Sequence, residues 1–189
     1  MSSLDLDIDQ IRLRVIKPDD APDLLRLYSD VRITEFLPLH ISTIKNAEDV
    51  ISGYIKYWEE RGFGIWSIRE RESDKMIGRC GFLHWNDSNE IVPQYELAYL
   101  IEPDAWGQGI ATKCARVCLK FGFEIGGFEK IFAKTNEKNI GSWRVMEKIG
   151  MKKVSVEKFN LLKKVCYIIS KEQYDEGTSR KYEIDTDTN

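Results

Sequence analysis

The sequence predicts one α+β domain with a mixed α/β, mainly antiparallel sheet of about six to seven strands and flanking helices. Runs in which apolar and polar residues alternate, as half-buried strands require, recur between segments whose apolar residues follow the helical period. Near the middle, a strand-like run at 94–101 leads through a glycine turn at 107–109 into a helical segment. The chain of 189 residues shows no internal repeat. We therefore expect a flexible extension at 1–10, one domain over 11–174 and a polar tail at 175–189.

The first half of the chain predicts two helices and an antiparallel meander. Residues 11–16 alternate apolar and basic side chains, as in a strand, and Pro18 then marks the start of a helix. Asn46 is the expected start of a second helix, which ends at Gly62, and residues 34–43 between the helices are expected to be irregular. The expected meander strands are 63–69, 76–84 and 94–101, with turns at 70–75 and 86–89.

The second half predicts two helices and three strands. Apolar residues at helical spacing run from about 111 to 124, and the paired glycines at 126 and 127 end that helix. Asn139 is the candidate N-cap of a further helix at 140–149. The expected strands are 130–134, 152–159 and 163–170.

Composition and charge exclude several classes of protein. The net charge is −3 and the sequence pI is about 5.6, whereas a general binder of nucleic acid needs a clustered basic face. No apolar run approaches the length of a membrane span, and residues 1–10 lack the pattern of a signal peptide. We therefore expect a cytoplasmic protein without a nucleic-acid or membrane partner. Its state, monomer or homodimer, stays open.

The four cysteines predict buried, reduced thiols rather than disulfides or a metal site. None of them has C-x-x-C spacing, and the chain is not a small secreted frame. Cys114 and Cys118 lie one helical turn apart, but the only histidines, His40 and His84, are distant in sequence. We expect no metal.

The glycine turn is the most informative functional feature. The first N–H groups of a helix lack intrahelical partners, and the aligned peptide dipoles add positive charge there, so a phosphate can bind without a basic side chain. Gly107 and Gly109 allow both the close approach of a ligand and backbone angles that other residues resist. The turn predicts a diphosphate cradle, although an ordinary strand-to-helix connection can have the same pattern.

A dinucleotide-binding turn of the Rossmann type fits this segment less well. That motif has three glycines and begins directly after its strand. Here Thr112 occupies the third glycine position, and residues 103–106 separate the strand from the turn. A nucleotide-dependent oxidoreductase is therefore the weakest functional interpretation of this chain.

Two segments in the same order resemble the GNAT superfamily of acetyl-CoA-dependent N-acetyltransferases, and within it the Rim-like branch of ribosomal-protein N-terminal acetyltransferases. These segments are 96–112 and 139–151, with weaker similarity at 12–21 and 77–82. The resemblance covers about residues 11–174. It implies a GNAT fold whose sheet is splayed at the central strands. It also implies direct transfer of an acetyl group from acetyl-CoA to a primary amine, on a protein N-terminus or a small molecule, without a metal.

The resemblance also assigns cofactor-binding residues. The backbones of Leu100 and Ile101 would meet the pantetheine arm and the thioester carbonyl, and Asn139 would hydrogen-bond the same arm. Trp106 has a second interpretation as a packing aromatic. The remaining residues of the implied diphosphate turn are Gly107, Gln108, Gly109, Ile110, Ala111 and Thr112.

Glu96 and Ser142 are the implied proton-transfer residues. Attack on a thioester needs a neutral amine, and Glu96 matches a strand glutamate that serves as the base in some members. It could equally be the polar face of an alternating strand. Many members use a tyrosine as the acid where this chain has Met146, and Ser142 is the substitute that the Rim-like branch implies. Helix capping is the alternative role for Asn139 and Ser142.

The sequence says less about the residues that would bind the acceptor amine. By analogy, Phe36, His40 and Trp85 would line its binding site, although a lone histidine is more often structural. The short turn at 159–163 lacks the glycine and aspartate that Rim-like enzymes often carry there, which argues against a ribosomal-protein N-terminus as the substrate. Because Met146 cannot donate a proton, a non-catalytic acyl-CoA-binding or sensing module is the second hypothesis.

Overall fold

The protein is described by a computed structural model that covers residues 5–37, 41–85, 94–159 and 162–177. Over these residues it has eight strands, five α-helices and a final helical segment at 171–177. The strands are β1 (Leu6–Ile8), β2 (Ile11–Val15), β3 (Ile65–Glu70), β4 (Met76–Trp85), β5 (Gln94–Ile101), β6 (Lys130–Asn136), β7 (Lys152–Phe159) and β8 (Leu162–Ser170). The helices are α1 (Ala21–Tyr28), α2 (Val31–Thr34), α3 (Ile44–Arg61), α4 (Ile110–Lys120) and α5 (Ile140–Lys148).

The sheet is mixed and mainly antiparallel, as expected. The strand order is β1-β2-β3-β4-β5-β6-β8-β7. Antiparallel pairing joins β1 to β2, β2 to β3, β3 to β4, β6 to β8 and β7 to β8, whereas β5 and β6 are parallel. In the described β5–β6 pair, Tyr95 faces Ile131 and Glu96 faces Phe132.

The strand count corrects the expectation of six to seven strands. Residues 6–8 were expected within a flexible extension, but they form β1, and Leu6 pairs with Leu13 of β2. Leu6 and Ile8 alternate with the exposed Asp7, which is the strand pattern in a segment of three residues. Three residues are too few for hydrophobic periodicity to identify a strand, so β1 was not predicted from the sequence. The sheet has eight strands because of it.

The chain divides into two compact units. One comprises Met1–Leu83 with Leu97–Cys118, and the other comprises His84–Glu96 with Leu119–Asn189. In the first unit, α3 packs on β3 through Trp58, whose indole Nε1 donates to the Ile65 carbonyl at 2.8 Å. The Trp58 ring also contacts the Trp66 ring edge-on at 4.8 Å.

In the second unit, β6, β8 and β7 form an antiparallel ladder beside α5. Tyr95 and Phe128 stack with ring centroids 3.8 Å apart. The helical segment 171–177 extends past residue 175, where the tail was expected to begin, and the Lys171 ammonium pairs with Asp175 at 2.7 Å inside it. Residues 178–189 of the expected tail lie outside the described residues.

The helix ends show how local sequence sets these boundaries. Helix α3 begins at Ile44, two residues before the expected start, because the Thr43 hydroxyl caps it by accepting from the Asn46 N–H at 3.2 Å. It ends at Gly62 with φ +74°, as expected. Helix α4 continues into a π-helical turn at Phe121–Ile125, and α5 starts behind Asn139 as expected.

All four cysteines are free and buried, as expected. Cys80 of β4 and Cys118 of α4 lie 3.4 Å apart, Sγ to Sγ. Burial raises the pKa of the Cys80 and Cys114 thiols, so both are neutral at physiological pH. In the described part of the chain, no group of His, Cys, Asp and Glu side chains is arranged to hold a metal.

Over the described ranges, none of the helices is both long enough and apolar enough to cross a bilayer.

Candidate functional site

The glycine turn lies between the end of β5 and the start of α4. A 3₁₀ turn at Pro103–Ala105 follows β5, and Trp106 to Gly109 then lead into Ile110. Gly107 and Gly109 both have φ +78°. A Cβ at either position would meet no protein atom within 4 Å. The backbone angle, and not a lack of space in the protein, is therefore the reason for glycine at both positions.

Six consecutive N–H groups of this turn have no acceptor in the part of the protein that the structure describes. Among the described residues, the first backbone N–H here with a partner is that of Lys113, which donates to the Gly109 carbonyl at 3.0 Å. The N–H groups of Gly107 to Thr112 precede it without one. The turn is exposed, and α4 has 11 residues, enough for a helix dipole to add positive charge at its N-terminus. This arrangement suits a phosphate or diphosphate ligand.

Trp106 fixes the turn to the strand. Its indole Nε1 donates to the carbonyl of Ile101 at 2.8 Å, while 49% of the residue remains exposed. The Gln108 side-chain amide donates to the Asp104 carbonyl at 3.3 Å, which closes the other side of the turn. Both contacts hold the turn's shape, which supports the interpretation of Trp106 as a packing residue.

Glu102 anchors the strand end and was not identified from the sequence. Its buried carboxylate accepts from Lys75 Nζ at 2.8 Å and from Arg26 Nη1 at 2.9 Å, and its N–H donates to the Ile77 carbonyl at 2.7 Å. Burial opposes the charged form, but the two cationic donors outweigh it and hold the pKa of Glu102 below its ordinary value. An acidic residue directly before Pro103 was the sequence signal available for this anchor.

Close approach of β4 and β5 places Leu100 and Ile101. A Cβ on Gly78 of β4 would come within 2.2 Å of the Leu100 carbonyl oxygen and 3.1 Å of the Ile101 Cα. Only glycine fits there. The side chains of Leu100 and Ile101 are buried, and the Ile101 carbonyl accepts from Trp106 Nε1.

Glu96 is paired rather than isolated. Its carboxylate lies 2.8 Å from the ammonium of Lys134 on β6, with side chains 16% and 30% exposed. Its immediate partner is thus a cation two residues beyond Phe132, which faces Glu96 in the sheet. The pairing orients the carboxylate and keeps it partly accessible.

Asn139 caps α5 as expected. Its side-chain Oδ1 accepts from the Ser142 N–H at 3.1 Å. This contact uses the backbone N–H of Ser142. Both side chains are half-buried. The capping role is thus established in the structure, and any proton transfer by Ser142 would be additional to it.

Comparison with known proteins assigns the chain to a family. Residues 10–152 match the model for the acetyltransferase (GNAT) domain. The chain belongs to the GNAT acetyltransferase family. It is 30% identical over 152 residues to the uncharacterized protein YkkB of Bacillus subtilis, which covers 76% of this chain and 82% of that protein. It is 26% identical to the uncharacterized N-acetyltransferase YoaA of the same organism, over 80% of this chain and 84% of that one.

Solved structures confirm the GNAT fold. The ribosomal-protein-S5-alanine acetyltransferase from Vibrio fischeri superposes with a TM-score of 0.78, covering 90% of this chain and 98% of that chain. The two sequences are 14% identical, so this similarity establishes the shared fold and not a shared substrate. Acetyl-CoA is the co-substrate of the family.

The residues considered for the general acid and for the binding of the acceptor amine lie at several places in this GNAT domain. Met146 stands at the position where many members have a tyrosine that acts as the general acid, and its side chain is buried in the core. Phe36 follows α2 and is half-buried. Trp85 is the last residue of β4, but its side chain, like the whole of His40, lies outside the described residues.

The predicted residues fall into two groups, one in each unit. Leu100, Ile101 and the residues from Trp106 to Thr112 lie along one continuous path in the first unit, from strand end to helix start. Glu96, Asn139 and Ser142 belong to the second unit. Phe36 lies in the first and Trp85 in the second.

Proposed function

We propose that the protein is a cytoplasmic acetyl-CoA-dependent N-acetyltransferase that transfers an acetyl group directly to a primary amine. Membership of the GNAT family supports the reaction class. The observation that carries the proposal is the run of N–H groups from Gly107 to Thr112 that lack acceptors among the described residues. Acetyl-CoA would supply the activated acetyl group.

The turn would hold the diphosphate through backbone groups alone. The nearest lysine, Lys113, is paired with Asp9, Nζ to Oδ2 at 2.5 Å, and helps little with phosphate charge. N–H groups at a helix N-terminus carry partial positive charge, so they suit an anion without a basic side chain. The contacts of Trp106 and Glu102 hold the turn and the strand end in place before a ligand arrives.

The chain offers one candidate for each proton transfer. Glu96 would accept the proton of the attacking amine, directly or through a water, with Lys134 orienting its carboxylate. Ser142 would return a proton to the departing thiolate, with Asn139 holding the Ser142 N–H at the start of α5. The backbone at Leu100 and Ile101 would supply donors for the oxyanion that develops at the carbonyl.

The test combines binding with turnover. Acetyl-CoA affinity is measured by calorimetry, and thiol release is then followed with N-terminal peptides, polyamines, amino acids and aminoglycosides. The protein's own thiols are buried, so they contribute little background to a thiol reagent. Thiol release with one class of amine supports the proposal, and failure to bind acetyl-CoA contradicts it.

A non-catalytic acyl-CoA-binding module is the second candidate. The buried Met146 favours it, since no proton donor stands at that position. Tight acetyl-CoA binding with no thiol release across the whole panel would support this alternative over the enzyme.

A further inference from the structure

Arg79 of β4 is a buried cation without a carboxylate partner in the described part of the chain. The residue is 7% exposed. Its Nε and Nη2 donate to the Tyr28 hydroxyl of α1 at 3.1 and 2.7 Å, while Nη1 is buried and has no hydrogen-bond partner there. Leaving a buried guanidinium nitrogen unpaired is costly, so this arrangement calls for a ligand.

Two further arginines of the same unit, the buried Arg69 and the half-buried Arg14, contrast with Arg79. Arg14 and Arg69 both contact the carboxylate of Asp20, with Arg69 Nη1 2.9 Å from Asp20 Oδ1. Arg69 also pairs with Asp74 at 2.9 Å. Aspartates thus neutralise both of these guanidinium groups, although Arg14 Nε is also buried without a hydrogen-bond partner among the described residues. Over the same residues, Arg79 has no such carboxylate.

The surrounding phenols add a second donor. The Tyr28 oxygen accepts two hydrogen bonds from Arg79, which occupy both of its lone pairs. Tyr54 adds a second phenol beside the guanidinium group, and its hydroxyl proton is a further donor. Arg79 Cζ lies 5.8 Å from the Tyr54 ring centroid, and Tyr54 is half-buried, so this cluster borders on solvent.

The cluster lies beside the strand end. Gly78, the preceding residue, is in contact with Ile101 and the Leu100 carbonyl. Neighbouring residues of a strand face opposite sides of the sheet, and Cys80 faces α4 whereas Arg79 faces α1 and α3. Arg79 is therefore at the level of Leu100, on the sheet face opposite α4.

We propose that Arg79 and Tyr54 bind a carboxylate of the acceptor, so that the substrate is a small amine that carries a carboxylate. This inference rests on the proposed transferase function, because Leu100 is where that function places the acetyl group. A guanidinium edge with an adjacent hydroxyl donor matches the two oxygens of a carboxylate. The carboxylate could be the α-carboxylate of a free amino acid or the side chain of an acidic N-terminal residue in a peptide.

The test is equilibrium binding, which does not depend on turnover. Free amino acids and their amides are titrated into the protein by calorimetry, with and without CoA, and tripeptides that begin with Asp or Asn form a second arm. We expect the carboxylate form to bind about tenfold to a hundredfold more tightly than its amide in one of the two arms. That arm names the source of the carboxylate.

Variants then assign the preference to the cluster. Arg79→Met and Tyr54→Phe should each reduce the preference for the carboxylate to about threefold or less, with acetyl-CoA affinity unchanged. Arg69→Met removes a buried arginine that has aspartate partners and should leave the preference intact. If Arg79→Met fails to fold, Tyr54→Phe, which removes one oxygen, decides the question.

Two results would overturn the inference. Equal binding of acids and amides by the wild-type protein is one, and an undiminished preference in folded Tyr54→Phe is the other. Acetyl-CoA binding is measured separately, so loss of the carboxylate site and failure of the transferase proposal give different results.

Discussion

At the residue scale, Gly109 shows why a motif glycine is required. Its φ of +78° lies in the left-handed region, where a side chain is strained even though a Cβ would meet no protein atom within 4 Å. The proposed role of this glycine is therefore to set the backbone that leads into α4, where the ligand would bind.

Gly109→Ala should lower the free energy of unfolding by about 1 to 2 kcal/mol and weaken acetyl-CoA binding by about tenfold, because relief of the strain redirects the N–H groups. Gly62→Ala is the matched control, since Gly62 has φ +74°, no atom within 4 Å of its missing Cβ, and a place at the end of α3. It should lose similar stability with unchanged affinity. Denaturant unfolding and calorimetry measure both, and equal affinities for the two variants would refute the cradle.

Glu96 poses a different question, because its ion pair with Lys134 is compatible with a structural role as well as with proton transfer. If the carboxylate is the base, Glu96→Gln should lower kcat by about tenfold to a thousandfold without unfolding the protein. Lys134→Met removes the partner but keeps the carboxylate and should stay within about fivefold of wild type. A Glu96→Gln rate close to wild type would assign the pair to structure.

At the scale of elements, the start of α5 separates capping from catalysis. Asn139→Ala removes the side chain that caps the helix and should cost about 1 kcal/mol of stability. Ser142→Ala keeps the backbone N–H that makes the cap, so its stability should stay near wild type while kcat falls about tenfold or more if the hydroxyl is the acid. Thermal unfolding and steady-state kinetics on the two variants test this contrast. Wild-type kcat in Ser142→Ala would leave capping as the helix start's only role.

The end of β5 depends on the charge of Glu102. Because its pKa is lowered in the folded protein, its contribution to stability is present above the ordinary value of 4.5 and is lost as pH falls through the folded-state pKa. Glu102→Gln should therefore be less stable than wild type by about 1 to 3 kcal/mol at neutral pH, and the gap should close in acid. Unfolding measured from pH 3 to 7 checks this, and a gap that does not change with pH would contradict the assignment.

These elements also show what sequence can and cannot predict. Strands β2 to β8, the 3₁₀ turn at Pro18–Asp20 that leads into α1, the start of α5 behind Asn139 and the glycine turn were predictable because periodicity and capping are local signals. The partners of Glu102 are 27 and 76 positions away, and Lys134 reaches Glu96 through a parallel strand pairing. No local pattern encodes such contacts, so the anchor of the turn and the pairing of the candidate base emerged only from the fold.

At the scale of the whole molecule, family and fold point to the donor far more than to the acceptor. The GNAT match and the exposed turn both concern acetyl-CoA. In the proposed site, the choice of acceptor would depend on side chains such as Arg79, Tyr54 and Phe36, which would carry specificity rather than the shared reaction. A net charge of −3 gives no general attraction for an anionic acceptor, so a carboxylate would have to be recognised locally.

The central claim is that backbone N–H groups from Gly107 to Thr112 hold the diphosphate of coenzyme A. The most direct measurement is the amide chemical shift of each of these residues in a ¹⁵N-labelled protein titrated with CoA and, separately, with pantetheine, which lacks the diphosphate. If these N–H groups donate to the diphosphate, their amide signals should shift strongly downfield with CoA and only slightly with pantetheine. CoA that binds while these amides stay unchanged would contradict it.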